Sequence, residues 1–305
     1  MEHQFDYSDT FFAMGTAQTI SVHLEHREAV RAARSEVLSL HKKFNVFDEN
    51  SEVSQINNNA GKMIPVSTDT CKLLSDSCKY EKLTEGAFKI TTLPASRMWR
   101  RAGSENRMPT DDELVSVRKR MPYDVVMVDS KRLLAGVRRR GQEIDLGGIA
   151  KGYAADKAAK ILDDLGVERF TLNFGGSVIT RGLDAGVGIR NPFGAQNDQV
   201  LGSLTVNDCA VVTSGIYERG VEIDGKRYHH IIDPRTCRPS DSELVSVTLV
   251  GNSAEELDAL ATAVLVLGTE KGLEILQRLN IEAVFVDKHG NVCATNGLKD
   301  ALKVG

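Results

Sequence analysis

The sequence predicts an α+β fold on two observations. β-like runs bunch together instead of alternating strictly with helices, and five separate stretches carry apolar residues at helical spacing. No repeat of fixed period interrupts this arrangement.

Residues 11–24 mix β-branched and aromatic residues with a glycine and read as a strand or hairpin edge. Over 27–44, Val30, Ala33, Val37, Leu38 and Leu40 recur near helical spacing and predict an amphipathic helix. Residues 47–60, rich in Asn and Ser, read as a polar loop. A second helix is expected over 67–83, on the weaker stripe of Leu73, Leu74 and Tyr80. Between 96 and 112 the charges, Gly103 and Pro109 describe an irregular segment. A β-rich run follows at 123–128, 132–137 and 143–146. Gly147 and Gly148 break it, and Ile149, Tyr153, Ala154, Ala158, Ile161, Leu162 and Leu165 then mark one helical face that stops at Gly166. Further strands are expected at 170–173, 186–190, 201–206, 210–213, 229–232 and 244–250. A helix over 254–267 closes at Gly268, a shorter one covers 272–279, and a hairpin around 287–291 completes the chain.

With 305 residues, 41% hydrophobic and 26% charged, the chain has the composition of an ordinary globular protein. A chain of this length buries roughly three quarters of its unfolded surface, so one domain over 1–305, or two intimately packed lobes, stands without a structural metal or disulfide. Asp and Glu number 42 against 38 Lys and Arg, and the net charge of −4 offers no electrostatic footprint for nucleic acid. Cys71, Cys78, Cys209, Cys237 and Cys293 are odd in number and form no CxxC pair. They read as small buried hydrophobes in a reducing compartment. No stretch approaches the ~18 uninterrupted apolar residues of a membrane span, and no basic, apolar leader opens the chain. The sequence therefore reads as cytoplasmic, although an exported form lacking its leader would read the same.

Three constellations carry chemistry. Asp145-Leu-Gly-Gly-Ile-Ala-Lys-Gly-Tyr153 runs from a strand end through paired glycines into a helix, whose first turn aims N–H groups outward beside Lys151. That corner either cradles phosphate or is a tight turn with a solvated lysine. In Asp258-Ala-Leu-Ala-Thr262, a carboxylate and a hydroxyl four residues apart share one helical face and can meet a hard cation such as Mg²⁺. Alternatively Asp258 lies on the polar edge and Thr262 bonds back to the previous turn. In His229-His230-Ile-Ile-Asp233-Pro-Arg-Thr236, His230 has the titration range of a general base, or is a hydrogen-bonded structural residue at a turn. Thr213-Ser214-Gly215 and Asn173-Phe-Gly-Gly-Ser177 are weaker ligand-loop candidates, and no nucleophile elbow or zincin helix occurs.

In order and spacing these pieces resemble the ApbE family of FAD:protein FMN transferases. The match extends from Phe12-Ala-Met14-Gly-Thr16 through Ser51-Glu-Val-Ser-Gln-Ile-Asn57, the Gly-Gly corner, Gly188-Ile-Arg-Asn-Pro192 and Thr213-Ser-Gly215 to the His230 and Asp258 motifs, nearly the whole chain. The resemblance implies mostly antiparallel sheets flanked by helices, with the active site in a cleft between two halves. It implies Mg²⁺-assisted transfer of FMN from FAD to a Thr or Ser hydroxyl of an acceptor flavoprotein, with AMP released. By the same resemblance Asp258 and Thr262 bind the metal, joined by backbone oxygens at Ala150 and Ala261, and His230 activates the acceptor hydroxyl. Met14 and Phe47 fall at flavin-contact positions; Ala87, Phe88, Lys89, Gly147, Tyr153 and Ile232 at further FAD-lining ones. Lys151 and Ser214, from the constellations themselves, complete the expected FAD site. Three residues depart from the family pattern: Lys89 reverses a charge on the adenosine side, Ser177 replaces an acidic residue, and Cys237 stands in place of Gly. Two other functions compete: an FAD pyrophosphatase that uses water as acceptor, and an FAD carrier without turnover.

Overall fold

The N-terminal hairpin consists of strands Tyr7–Ala13 and Thr16–Val22, joined by a two-residue turn at Met14 and Gly15 with φ of 52° and 79°. Positive φ at both positions matches the twist of the flanking strands, and a methionine there sits in a region that side chains with a Cβ rarely occupy. The computed structural model that shows this describes residues 5–194 and 199–304.

Eight strands form the main sheet. After the hairpin come Phe170–Phe174, Ser177–Arg181, Ala210–Gly215, Leu244–Gly251, Glu282–Asp287 and Val292–Ala294, each beside the next, and every pairing is antiparallel. The described residues also form eight α-helices: α1 Arg27–Phe44, α2 Glu52–Asn58, α3 Thr68–Leu83, α4 Leu93–Ser104, α5 Asp111–Arg118, α6 Ala150–Asp164, α7 Ala254–Leu267 and α8 Thr269–Arg278. The largest core cluster joins α1, α6 and α7 to the sheet through Ile20, Val30, Leu40, Leu162, Leu172, Leu249 and Leu260. A smaller one, around Trp99, Ala102, Leu114, Ile223 and Cys237, holds α4 and α5 against the hairpin of Gly220–Ile223 and Lys226–His229.

Helices α1, α3, α6 and α7 stand where the apolar stripes place them. Four expectations are corrected. The polar loop at 47–60 contains α2, because the Ser51 hydroxyl caps the Ser54 N–H and Val53 and Ile56 are buried. The irregular segment at 96–112 is mostly helical. Ala95, Met98, Trp99 and Ala102 form a buried stripe in α4 that the interleaved arginines conceal in sequence. Residues 143–146 form no strand; the Ile144 N–H donates to the Asn57 side chain and the Asp145 N–H to the Ile90 carbonyl. Residues 229–232 are not one strand either, since the chain bends at His230 between Lys226–His229 and Ile232–Asp233. The cysteines are mixed: Cys71 and Cys237 are buried, Cys78 and Cys209 half-buried and Cys293 exposed, all free.

Close approach of α6 to α7 depends on Gly152. A Cβ there would stand 2.1 Å from the Ala254 carbonyl oxygen and 2.8 Å from the Glu255 nitrogen, both backbone atoms with nowhere to yield. Gly152→Ala is expected to lower stability by about 3 kcal/mol or more, read as an earlier midpoint in denaturant.

Candidate active site

The paired-glycine corner and α7 meet at one cavity of about 820 Å³, bordered by Gly147, Gly148, Lys151, Asp258 and Thr262. Asp258 is 2% exposed. One of its oxygens accepts the Gly152 N–H at 3.0 Å, and the other lies 3.2 Å from the Lys151 ammonium. It thus faces inward with a donor and a cation as partners, as a buried carboxylate requires. Thr262, one turn on, bonds back to the Asp258 carbonyl at 3.3 Å. Gly148 lies opposite: a Cβ there would be 3.6 Å from the Thr262 hydroxyl oxygen and 3.4 Å from the Phe88 ring.

His230 borders the same cavity at the bend between two short strands. Its Nδ1 lies 3.2 Å from the Arg219 carbonyl oxygen, which can only accept, so Nδ1 carries the proton and the lone pair belongs to Nε2. The walls around the ring push its pKa down to about 4, and the positive charges of Arg219 and Lys151 act in the same direction. Its neighbour His229 is committed elsewhere, with Nε2 2.9 Å from the Ser240 carbonyl oxygen. Asp233 fixes the following turn by taking the Arg235 guanidinium in two bonds of 2.9 Å, while the Ser240 and Ser242 hydroxyls donate to the Leu265 carbonyl at the end of α7. The segment that follows the histidine is therefore tied to the helix that carries Asp258.

A second chamber, about 460 Å³, opens beside the first and shares Met14, Gly15, Ser96, Asp145, Gly147, Arg219, His230 and Ile232 with it. Its other walls include Phe12, Phe44, Phe47, Trp99 and Tyr228. Phe47 is 74% exposed, with the Arg100 guanidinium 5.5 Å from its ring centroid. One end of the cleft is aromatic and apolar, the other polar and charged.

Most expected site residues border this cleft. Met14, Gly147, His230 and Ile232 touch both chambers; Phe47 and Ala150 line the aromatic one; Ala87, Phe88, Lys89, Lys151, Ser214, Asp258 and Thr262 line the polar one. Tyr153 borders neither. It is buried, its hydroxyl donates to Asp69 at 2.7 Å, and Lys43 and Lys157 hold the same carboxylate. Ala261 is fully buried and also borders neither. Lys89 contributes to the wall, but its ammonium turns away to Glu81 at 2.8 Å beneath the Tyr123 ring, so the reversed charge is neutralised inside the protein. Ser177 is buried at the start of its strand. Cys237 keeps a φ of 60°, the conformation glycine favours, and its carbonyl accepts the Trp99 indole N–H at 2.8 Å.

The sequence reading missed Arg219, Glu218 and Tyr217, which the cavity also includes. Arg219 reaches the Gly15 carbonyl at the hairpin tip, 3.4 Å away. Burial pushes the Glu218 carboxyl up, with Lys151 and Arg219 opposing the shift. The one signal in sequence was a charged pair just past the strand ending Thr213-Ser-Gly215.

The comparisons agree with this architecture. The sequence model of the ApbE family matches residues 14–285, and the chain belongs to that family. It is 35% identical to a FAD:protein FMN transferase of Klebsiella pneumoniae, over 94% of this chain and 90% of that protein. A FAD:protein FMN transferase of Treponema pallidum is 31% identical, over 98% and 89%. The crystal structure of the ApbE protein from Thermotoga maritima superimposes with a TM-score of 0.87 at 31% identity, covering 97% of this chain and 98% of that one.

Proposed function

We propose that this protein transfers FMN from FAD to a Thr or Ser hydroxyl of a target flavoprotein and releases AMP. The observation that carries the reading is the continuous cleft in which an aromatic chamber adjoins a polar one, with His230 bordering both and Asp258 and Thr262 beside it. An isoalloxazine ring fits the walls formed by Phe12, Met14, Phe47 and Tyr228. The pyrophosphate then lies by Lys151, Arg219 and the first turn of α6, which has no acidic residue to repel it.

The donor set suits magnesium. Asp258 and Thr262 offer hard oxygen atoms on one helical face of the cavity, and Mg²⁺ commonly takes one or two carboxylates and completes its shell with substrate phosphates and water. Among the described residues no cluster of three His, Cys, Asp or Glu side chains suggests a softer or all-protein site. Bound there, the ion would supply Lewis-acid stabilisation of the phosphoryl oxygens. The protein's own residues do the rest. Neutral His230 takes the proton of the acceptor hydroxyl at Nε2 while that oxygen forms a bond to the FMN phosphorus. The phosphorus–oxygen bond to AMP breaks, and Lys151 and Arg219 balance the charge on the departing phosphate.

Incubation with FAD, Mg²⁺ and an acceptor flavoprotein domain tests the assignment by intact mass and nucleotide chromatography. The expected result is an acceptor gaining the mass of FMN alongside one AMP. AMP with an unmodified acceptor would mean a pyrophosphatase, and FAD bound without AMP a carrier.

A further inference from the structure

The polar chamber that His230 borders is also lined by residues outside the expected FAD site. Its wall includes Val187, Gly188 and Arg190 of the strand Ala185–Arg190. That strand ends a three-stranded sheet ordered Leu302–Val304, Val200–Val206, Ala185–Arg190, and among the described residues no strand pairs with its outer side. The register shows which groups face out. The Thr205 N–H donates to the Ala301 carbonyl, on the far side of its own strand, so Gly186–Thr205 and Gly188–Ser203 are the pairs without mutual hydrogen bonds. The N–H and C=O of Gly186 and Gly188 therefore point away from the sheet, about 7 Å apart. Both residues are exposed. Space around a Gly186 Cβ is open, and only the exposed Val200 side chain comes near one at Gly188. Natural sheets guard exposed edges with charge, proline or bulges; here the one charge and the one register shift stand at the strand's end, at Arg190, and Ala-Gly-Val-Gly-Ile at 185–189 has neither.

The geometry points to this edge as the docking rail for the acceptor polypeptide, which lies extended along it and extends its hydroxyl residue into the cavity toward His230. The inference rests on the proposed function, because a polypeptide substrate is what gives an unguarded edge continuous with the catalytic cavity a use. Main-chain pairing supplies affinity with little demand on the acceptor's sequence, and glycine at both outward positions leaves the strand open to close approach.

Gly186→Pro deletes one outward N–H while leaving the bonds to Val200–Val206 in place. Gly186→Ala adds the same Cβ in open space and keeps the N–H. With a folded acceptor domain that the wild type labels, Gly186→Pro is expected to raise the acceptor KM roughly tenfold. Gly186 is outside the cavity lining, so acceptor-free release of AMP from FAD should remain at the wild-type rate, and Gly186→Ala should behave as wild type. In wild-type protein the Gly186 and Gly188 amides should gain protection from hydrogen exchange on adding that domain. If Gly186→Pro fails to fold, the exchange measurement carries the test. An unchanged acceptor KM in a Gly186→Pro protein that still releases AMP, or unprotected glycine amides at saturating acceptor, would overturn the rail alone. A second copy of this chain on the edge, seen as a dimer that Gly186→Pro dissolves without affecting transfer, would do the same. A wild type that neither releases AMP nor labels any acceptor would overturn the proposed function and the rail with it.

Discussion

Asp258→Asn is expected to cut AMP release from FAD by roughly 10²–10³-fold at low Mg²⁺, with partial recovery as the metal concentration rises. Asparagine keeps the size of the side chain and an oxygen that can accept the Gly152 N–H, so the loss is one of charge at the phosphates. Asp258→Ala is a harsher change than the sequence suggests. A carboxylate at a solvated helix edge would be removable without structural cost, whereas this one is 2% exposed and links α6 to α7. Its removal leaves the Gly152 amide unsatisfied and Lys151 without its counter-ion, at about 1–3 kcal/mol for the buried donor; Lys151, partly exposed, can rehydrate. Denaturant unfolding beside AMP chromatography separates the two effects. AMP release by a folded Asp258→Asn protein at the wild-type rate would remove Asp258 from the reaction.

Much of the site was legible because its chemistry is local. The Gly-Gly corner, the i,i+4 pair of Asp258 and Thr262 and the double histidine each sit within a few residues, and helical periodicity places the first two at helix positions before any coordinates. Motif resemblance then predicted which distant pieces converge. Where reading failed, the deciding contact lay elsewhere in the chain. Tyr153 follows the corner by five residues, yet Asp69 of α3 draws its hydroxyl away from the cleft. Lys89 looked like a new charge beside the nucleotide, and only the fold brings Glu81 and Tyr123 to neutralise it. Three arginines among the apolar residues of α4 disguised a helix whose buried side is continuous. At Cys237 the sequence posed a real question, whether loss of glycine reshapes the turn, and the answer is that the cysteine adopts a φ of 60° while its side chain fills the smaller core.

His230→Ala is expected to slow FMN transfer by roughly 10²–10⁴-fold, the usual worth of a positioned general base, while FAD binding followed by flavin fluorescence changes far less. The distinction matters because a histidine at a bend can serve structure alone. Here its Nδ1 is engaged with the Arg219 carbonyl and Nε2 is the only lone pair available to a substrate. The pH profile gives a second, independent reading. An ordinary histidine, with a pKa of about 6.5, is roughly nine-tenths protonated at pH 5.5 and useless as a base. His230 lies open to the cleft, and the desolvation of its position between the cleft walls, with nearby Arg219 and Lys151, holds it down to about 4, so it remains neutral there. Lowering the pKa extends the neutral form toward acid, so the acid limb of kcat/KM should fall near pH 4 and transfer at pH 5.5 should match that at pH 7.5. His229→Ala serves as the control, since its ring faces Ser240 and its loss should leave that limb in place. An acid limb near 6.5 would mean that the ring is not held down in solution, whereas equal losses of binding and transfer in His230→Ala would make His230 a structural residue and leave the acceptor proton to another group lining the cleft, such as Glu218.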